Sequence, residues 1–171
     1  PDRSYQFGFT NASWHFAPDR TVTDGRFKYI RRFIPHRYHG NRSNYQWGMP
    51  AWIAWDAYVY EGTDQAAQWL SPYTPNSAAT KVEGLFDIHA DPFELNDLSN
   101  DPSHAAKLAE LRQELRDHMY ETRDLGLFPD SMRSIAGDTP MHTWVRDTGY
   151  DVDRLIDAAW LASDPTPADI P

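Results

Sequence analysis

The stretch TVTDGRFKYIRRFI, residues 21–34, predicts a β-hairpin and with it the start of the fold. Asp24-Gly25 separates two β-prone runs and is typical of a type I′ turn. Because side chains alternate across a strand, we expect the second strand to have one largely aromatic face and one largely basic face. The aromatic face holds Phe27, Tyr29 and Phe33, with Arg31 fitting less neatly, and the other holds Arg26, Lys28, Ile30 and Arg32.

The residues around this hairpin predict two more strands and a long helix. SYQFGF (4–9) and EGLFDI (83–88) have the composition of short strands. A helix is predicted over 102–123, because Asp101 can cap its free N–H groups and Pro102 suits the first helical position. Its predicted apolar stripe consists of Leu108, Leu111, Leu115, Met119 and Thr122. We therefore expect an α+β fold: a small antiparallel sheet of three to four strands packed against this helix.

The rest of the chain is predicted as loops and shorter helices. Residues 34–49 are rich in polar and aromatic side chains and predict a long loop, followed by a helix over 50–60. Residues 125–149 are expected to be irregular, with Gly126 as a plausible stop for the long helix. A second helix is predicted over 152–162, and the proline-containing end of the chain is linker-like.

Composition excludes several classes of site. The chain has 171 residues, which suits one domain or a domain plus a short appendage. No apolar run approaches 18 residues, so no membrane span is expected. Cysteine is absent, which excludes disulfides, thiolate metal sites and cysteine nucleophiles on this chain.

Charge is unevenly distributed along the chain. The net charge of −9 divides into +4 over residues 1–60 and −13 over residues 61–171. Between positions 20 and 42, seven basic residues face one acid, Asp24. Such a cationic surface suits a small anionic substrate or an anionic polymer, whereas the acidic chain as a whole would repel nucleic acid. The alternative is a strand face balanced by the acidic half of the chain.

The segment VEGLFDIHADPFELNDLSNDP (82–102), followed by an amphipathic helix, resembles the C-terminal subdomain of sulfatases in the alkaline phosphatase-like superfamily. The family pattern is a short aromatic-Asp strand and then an acidic-Pro-x-Glu-x-Asn-Leu turn. The matching positions are Leu85, Phe86, Asp87, Ile88, Asp91, Pro92, Glu94, Asn96 and Leu98. In this turn Asp87 and Asp91 are expected to hold backbone amides, and Asn96 can bond its own turn.

Two further stretches are similar to one bacterial group of sulfatases. Residues 24–56 resemble its hairpin and following loop, with Lys28, Tyr29, Ile30 and Arg31 matching and Arg32 in place of an asparagine. ETRDLGLFPDSM (121–132) and YDVDRLIDAAWLAS (150–163) resemble the region beyond its helix. Residues 1–19 depart from the pattern. The resemblance implies a sulfatase C-terminal subdomain over 1–124 and a C-terminal extension over 125–171.

The resemblance also implies what this chain lacks. Sulfatases act through a formylglycine made within a Cys/Ser-x-Pro-x-Arg motif and through a bound calcium ion. Pro-x-Arg occurs at positions 1, 18 and 35, but no hydroxyl or thiol stands two residues before it. No catalytic or metal-binding residue is therefore expected here, and formylglycine and calcium are expected in an N-terminal catalytic domain that is absent. We expect the chain to be inactive alone and, by resemblance, periplasmic or extracellular.

The expected partners are that catalytic domain and an anionic small molecule or sulfated sugar. The predicted substrate-binding residues lie in the 34–49 loop: His36, Arg37, His39, Arg42, Tyr45 and Trp47. Arginine binds sulfate bidentately and histidine donates near neutral pH, while aromatic rings stack on sugars. The alternatives are an exposed loop and, for the aromatic residues, packing against the catalytic domain. A different class remains open, a stand-alone carbohydrate-binding or protein-interaction module.

Overall fold

The computed structural model describes residues 4–13, 15–35, 44–61 and 81–163. Four strands form one antiparallel sheet in the order β1-β2-β3-β4. The strands are β1 (Gln6–Ser13), β2 (His15–Thr23), β3 (Phe27–Arg32) and β4 (Glu83–Asp87). The helices are α1 (Asn44–Trp47), α2 (Pro50–Glu61), α3 (Ala105–Glu121), α4 (Asp130–Arg133), α5 (Met141–Thr148) and α6 (Val152–Ser163). The predicted α+β fold is confirmed.

The predicted hairpin is present, with Val22 opposite Tyr29 in the β2–β3 register. The predicted type I′ turn is wrong, because Gly25 has a φ of +96° but Asp24 does not adopt positive φ. Instead the Asp24 carboxylate folds over the turn. It accepts hydrogen bonds from the Arg26 and Phe27 amides at 2.9 and 2.7 Å. A side-chain turn of this kind replaces the strained backbone that a type I′ turn requires.

The long helix lies across β2 and β3, as expected. A 3₁₀ turn, Pro102–His104, leads into α3, and the Asp101 carboxylate accepts from the Ser103 amide at 2.9 Å. This confirms the predicted cap. The predicted stripe is buried at Leu108, Leu111, Leu115 and Met119, whereas Thr122 is exposed.

The end of α3 differs from the prediction. Arg123, not Gly126, adopts the left-handed conformation, with a φ of +51°. The amides of Arg123 and Asp124 donate to the Tyr120 and Met119 carbonyls, both at 3.0 Å. This is the Schellman pattern that closes many helices, here with arginine at the position that glycine usually takes.

The segment after α3 is more regular than expected. The prediction that 125–149 is irregular is wrong, because it contains two 3₁₀ turns, α4 and α5. Two residues set the ends of α5. The helix begins directly after Pro140, and it is followed by Gly149, which has a φ of +67°. The prediction of a loop over 34–49 is also wrong at residues 44–47, which form the short helix α1. Residues 36–43, 62–80 and 164–171 lie outside the described residues.

The core lies between the sheet and α3. At one end of this core, side chains of α6 and of the segment after α3 also contribute to it. Tyr29 and Phe33 are buried on the aromatic face of β3, as predicted, and Arg31 is buried with them. The remaining core side chains come from both sides of position 124: Val22, Leu85, Leu108, Leu111, Leu115, Met119, Leu127, Phe128, Val145, Val152, Ile156 and Trp160. The division into 1–124 and 125–171 stays a prediction. In the described part of the chain, no helix has the length and apolar character needed to cross a bilayer.

Candidate functional site: an arginine cleft and an aromatic helix

Most of the predicted binding loop cannot be placed. His36, Arg37, His39 and Arg42 lie outside the described residues. Tyr45 is on α1 with 79% of its surface exposed. Trp47, also on α1, contacts Trp52 of α2 with ring centroids 5.4 Å apart. The structure thus places Trp47 in an aromatic cluster and leaves the role of the loop in binding a prediction.

Helix α2 is apolar around most of its circumference. Trp52 and Trp55 stack with centroids 4.7 Å apart, but no residue of the helix is buried. Ile53 and Tyr60 are 57% and 74% exposed. No residue of α1 or α2 belongs to the core described above. A helix that is apolar on all sides ordinarily packs against other protein.

The cations of the hairpin are paired with acids from the second half of the chain. Four pairs connect them: Arg20–Asp124, Arg26–Asp87, Lys28–Glu94 and Arg31–Glu83. The shortest contact atoms of the last three pairs are 2.7–2.8 Å apart. For these residues the alternative of a strand face balanced by the acidic half is confirmed.

Glu83 of β4 is the centre of the most buried of these networks. Its Oε1 accepts from the Tyr29 hydroxyl at 3.0 Å and from Arg31 Nη1 at 2.8 Å. Arg112 of α3 donates to both carboxylate oxygens, at 2.9 and 2.6 Å. Burial opposes ionisation of Glu83, but the hydrogen bonds from Arg112 and Tyr29 lower its pKa overall. Burial and the adjacent Glu83 charge raise the pKa of Tyr29, so its hydroxyl stays a donor.

Arg31 connects the sheet to the end of α6. Its Nη2 donates to the Trp160 carbonyl at 3.0 Å and to the Ser163 hydroxyl at 2.5 Å. The guanidinium carbon lies 4.3 Å from the centre of the Trp160 ring. A cation at the C-terminus of a helix is favourable because the last carbonyls carry partial negative charge. The main role of Arg31 is therefore to hold α6 against β3.

An arginine cleft of about 480 Å³ opens beside this network, between α3 and α6. It is lined by Arg31, Glu83, Arg112, Arg116, Asp157, Trp160 and Leu161. Arg116 donates to Asp157 at 2.9 Å and to the Tyr120 hydroxyl, which itself donates to Asp157. Of the described residues, three with guanidinium groups and two with carboxylates line the cleft, so these side chains together carry one excess positive charge.

A second cleft, of about 440 Å³, lies between β1 and the C-terminal half of α3. Phe7 stacks on His118 with ring centroids 3.7 Å apart, and Leu115 and Met119 contribute apolar surface. Its buried cation, Arg20, is held by both carboxylate oxygens of Asp124. This cleft is mainly apolar. A second arginine, Arg123, also lines it, and its Nη2 lies 3.5 Å from the Tyr150 carbonyl oxygen.

The turn after β4 has the predicted carboxylate contacts. Asp87 accepts from the amides two and three residues further on, at 3.2 Å each, and Asp91 accepts from the Asn96 amide at 2.7 Å. Asp97, which the sequence analysis missed, accepts from the amides of Leu85 and Ser99. These contacts shape the turn and bring no reactive groups together.

The described residues contain no group of three or more histidines and acids placed to hold a metal ion. The described residues therefore provide no fit to a calcium site. The expectation of no catalytic residue remains a prediction, since residues 36–43 and 62–80 are outside the description.

Sequence reasoning missed the arginine cleft. Its residues come from β3, β4, α3 and α6, and Arg31 is separated from Glu83 by 52 positions. One signal was available, because Arg112 and Arg116 are four residues apart and outside the apolar stripe of α3. Their spacing places two guanidinium groups on one side of the helix.

Comparison with known proteins shows a similarity to a sulfatase. The chain is 34% identical over 114 residues to an ulvan-active sulfatase from Formosa agariphila. The match covers 66% of this chain and 18% of that protein. No family model matches the chain. The chain is thus related in sequence to a sulfatase over most of its length and spans less than a fifth of that relative.

Proposed function

We infer that this chain is the C-terminal part of a sulfatase, a sulfuric ester hydrolase, and is inactive alone. The observation that carries this inference is the 34% identity to an ulvan-active sulfatase over 114 residues. The order of the three stretches that resemble sulfatases supports the C-terminal placement. In this proposal a catalytic domain, on the same or a separate chain, contains the formylglycine and the calcium ion.

The chain supports the catalytic domain through helix α2. Its exposed apolar side chains, with none buried, fit a surface that becomes covered when the catalytic domain is present. The sheet, α3 and α6 form a core of their own, to which α2 contributes no residue. The 36–43 loop precedes α1, so docking of α2 would bring the loop to the same partner. There His36, Arg37, His39 and Arg42 would bind the anionic groups of a sulfated carbohydrate, with Tyr45 and Trp47 next to them.

The test compares the 171-residue chain with the complete enzyme that contains it. Release of inorganic sulfate from ulvan is measured for both, with 4-nitrophenyl phosphate as a second substrate and heat-denatured enzyme as a blank. We expect sulfate release by the complete enzyme and none by the chain. Release by the chain alone would overturn its inactivity, and a complete enzyme that hydrolyses the phosphate ester but no sulfate ester would overturn the sulfatase assignment.

The substrate loop has its own test in the complete enzyme. Arg37→Gln and Arg42→Gln remove the charges that would pair with sulfate groups. We expect each substitution to raise KM for the polysaccharide about tenfold, since a charge-assisted hydrogen bond contributes roughly 1.5–3 kcal/mol. Arg146→Gln, at an exposed arginine on α5, is the matched control. Unchanged KM in both loop variants would remove the loop from the substrate site.

A further inference from the structure

The arginine cleft has positive charge that its own carboxylates do not fully neutralise. Glu83 serves both Arg31 and Arg112, and Asp157 serves Arg116. Arg31 is buried and committed to the end of α6. The excess charge therefore belongs to the exposed pair, Arg112 and Arg116, each with 42% of its side chain accessible.

Each of these two side chains retains N–H donors that make no hydrogen bond to a carboxylate of the described residues. The contacts of Arg112 with Glu83 use Nε and Nη2. Arg116 uses Nη2 for Asp157, and Nε and Nη2 for Tyr120. Among the described residues, the Nη1 group of each arginine has no carboxylate acceptor. Arginine has five N–H donors in a fixed planar arrangement, so each side chain can take a further acceptor without losing its present one.

Trp160 adds a donor to the same cleft. The residue lines the cleft and is 9% exposed, and its indole Nε1 is buried with no hydrogen-bond partner. A buried N–H group without an acceptor costs free energy, and native proteins rarely leave one in that state. The Nε1 atom itself is not accessible to solvent, so an oxygen atom bound in the cleft becomes its acceptor only after the indole ring turns.

The dimensions also fit an oxyanion attached to a larger molecule. Residues four apart on a helix have Cβ atoms roughly 6 Å apart, so the guanidinium groups of Arg112 and Arg116 can both contact one tetrahedral or carboxylate group. The cleft volume of about 480 Å³ lies within the range of small-molecule sites, roughly 300–1,000 Å³. A lone inorganic ion would leave most of that volume to water.

We propose that the arginine cleft is a binding site of this chain for a sulfate group on an acidic saccharide. Arg112 and Arg116 hold the oxyanion, and Trp160 Nε1 donates to one of its oxygens. The saccharide as ligand rests on the proposed function, whereas the oxyanion chemistry rests on the cleft alone. Such a site would retain the polymer on the enzyme between successive reactions.

The experiment is an NMR titration of the ¹⁵N-labelled 171-residue chain. The probes are sodium sulfate, a sulfated oligosaccharide prepared from ulvan and the same oligosaccharide after desulfation, all at constant ionic strength set with sodium chloride. We expect the Trp160 indole signal and the Arg112 and Arg116 Nε signals to shift saturably with the sulfated oligosaccharide. The desulfated form should bind about tenfold more weakly, and inorganic sulfate should bind at the same signals but more weakly than the oligosaccharide.

Two variants are expected to change the binding affinity in opposite directions, which a general loss of folding could not do. Arg116→Gln should weaken binding about tenfold, and Asp157→Asn should strengthen it because the competing carboxylate is gone. Arg146→Gln, an exposed arginine that does not line the cleft, should change nothing, and the amide spectra report whether each variant is folded.

The outcomes separate this proposal from the proposed function. No saturable shift, or equal affinity in wild type, Arg116→Gln and Asp157→Asn, would overturn the oxyanion site. Binding of inorganic sulfate as tight as that of the oligosaccharide would identify free sulfate as the ligand and overturn the saccharide part. Sulfate release by the complete enzyme is a different readout, so either idea can fail alone.

Discussion

Glu83 is the residue on which the buried charge network depends. Its carboxylate serves Tyr29, Arg31 and Arg112, and the Arg31 side chain is only 3% exposed. Replacing Glu83 with glutamine removes the carboxylate charge that faces the buried Arg31, which we expect to reduce the free energy of unfolding by about 3 kcal/mol. Urea unfolding followed by far-UV circular dichroism measures the loss.

Asp157→Asn is the matched control for this prediction. It also replaces the acid of an arginine pair, but at side chains that are 42% and 57% exposed, where such a pair contributes under about 1 kcal/mol. A Glu83→Gln variant no less stable than Asp157→Asn would show that the buried network adds nothing beyond an exposed pair.

Because the pKa of Asp19 is raised in the folded state, we expect the free energy of unfolding to decrease as the pH rises. Burial raises the pKa of Asp19 to about 6 from its ordinary 3.8, although Arg32 and Arg20 oppose the shift. The folded state therefore keeps a proton that the unfolded chain has released, and the benefit is complete below pH 3.8 and lost as pH passes 6. Asp19→Asn removes this dependence.

The difference in unfolding free energy between Asp19→Asn and wild type should grow in favour of the variant from pH 4 to pH 7. The expected change is as much as about 3 kcal/mol, because each pKa unit corresponds to roughly 1.4 kcal/mol. Urea unfolding at several pH values measures it, with the exposed Asp138→Asn as control. A constant difference across this range would contradict the raised pKa.

Single residues were predictable from sequence where the signal is local. The Asp101 carboxylate accepts from the backbone amide two residues further on, and Asp87 and Asp91 accept from amides no more than five residues away. Glu83 was not predictable in the same way, because its arginine partners come from a different strand and from α3. The charge imbalance between the chain halves indicated that such pairs form, but not which residues form them.

Among the elements, α2 is the one that we propose to contact the catalytic domain. We predict that Ile53→Asp weakens binding of the catalytic domain about tenfold or more, because a charge would enter an apolar interface. Ile135→Asp is the matched control, since Ile135 is 64% exposed and Ile53 is 57% exposed. Affinity is measured by calorimetry with the separately produced catalytic domain, and equal losses in the two variants would exclude α2 from the interface.

Elements with periodic sequence were predicted correctly, whereas the short helices after α3 were not. The stripe of α3 repeats over about three turns, and the alternation in β3 separates its two faces, so both are visible in sequence. Helix α4 has four residues and α5 has eight, too few for a periodic pattern to emerge. The end of α3 escaped prediction because Arg123 adopts the conformation that glycine normally provides.

At the scale of the whole molecule, the two oppositely charged halves of the sequence fold onto each other. The basic hairpin meets acids of β4, the following turn and the end of α3. This pairing stabilises the sheet, and the core that it surrounds contains no residue of α2. The molecule therefore combines a self-contained core with an apolar surface, as expected of a part that assembles with a larger domain.

Native mass spectrometry of the protein purified from its natural source tests the central claim most directly. We expect these 171 residues to be found within a longer polypeptide, or in a complex with a second chain, and peptide mapping of that assembly to detect a formylglycine. A folded protein with a mass of 19.7 kDa and no bound chain would contradict the assignment as part of a sulfatase and favour an independent binding module.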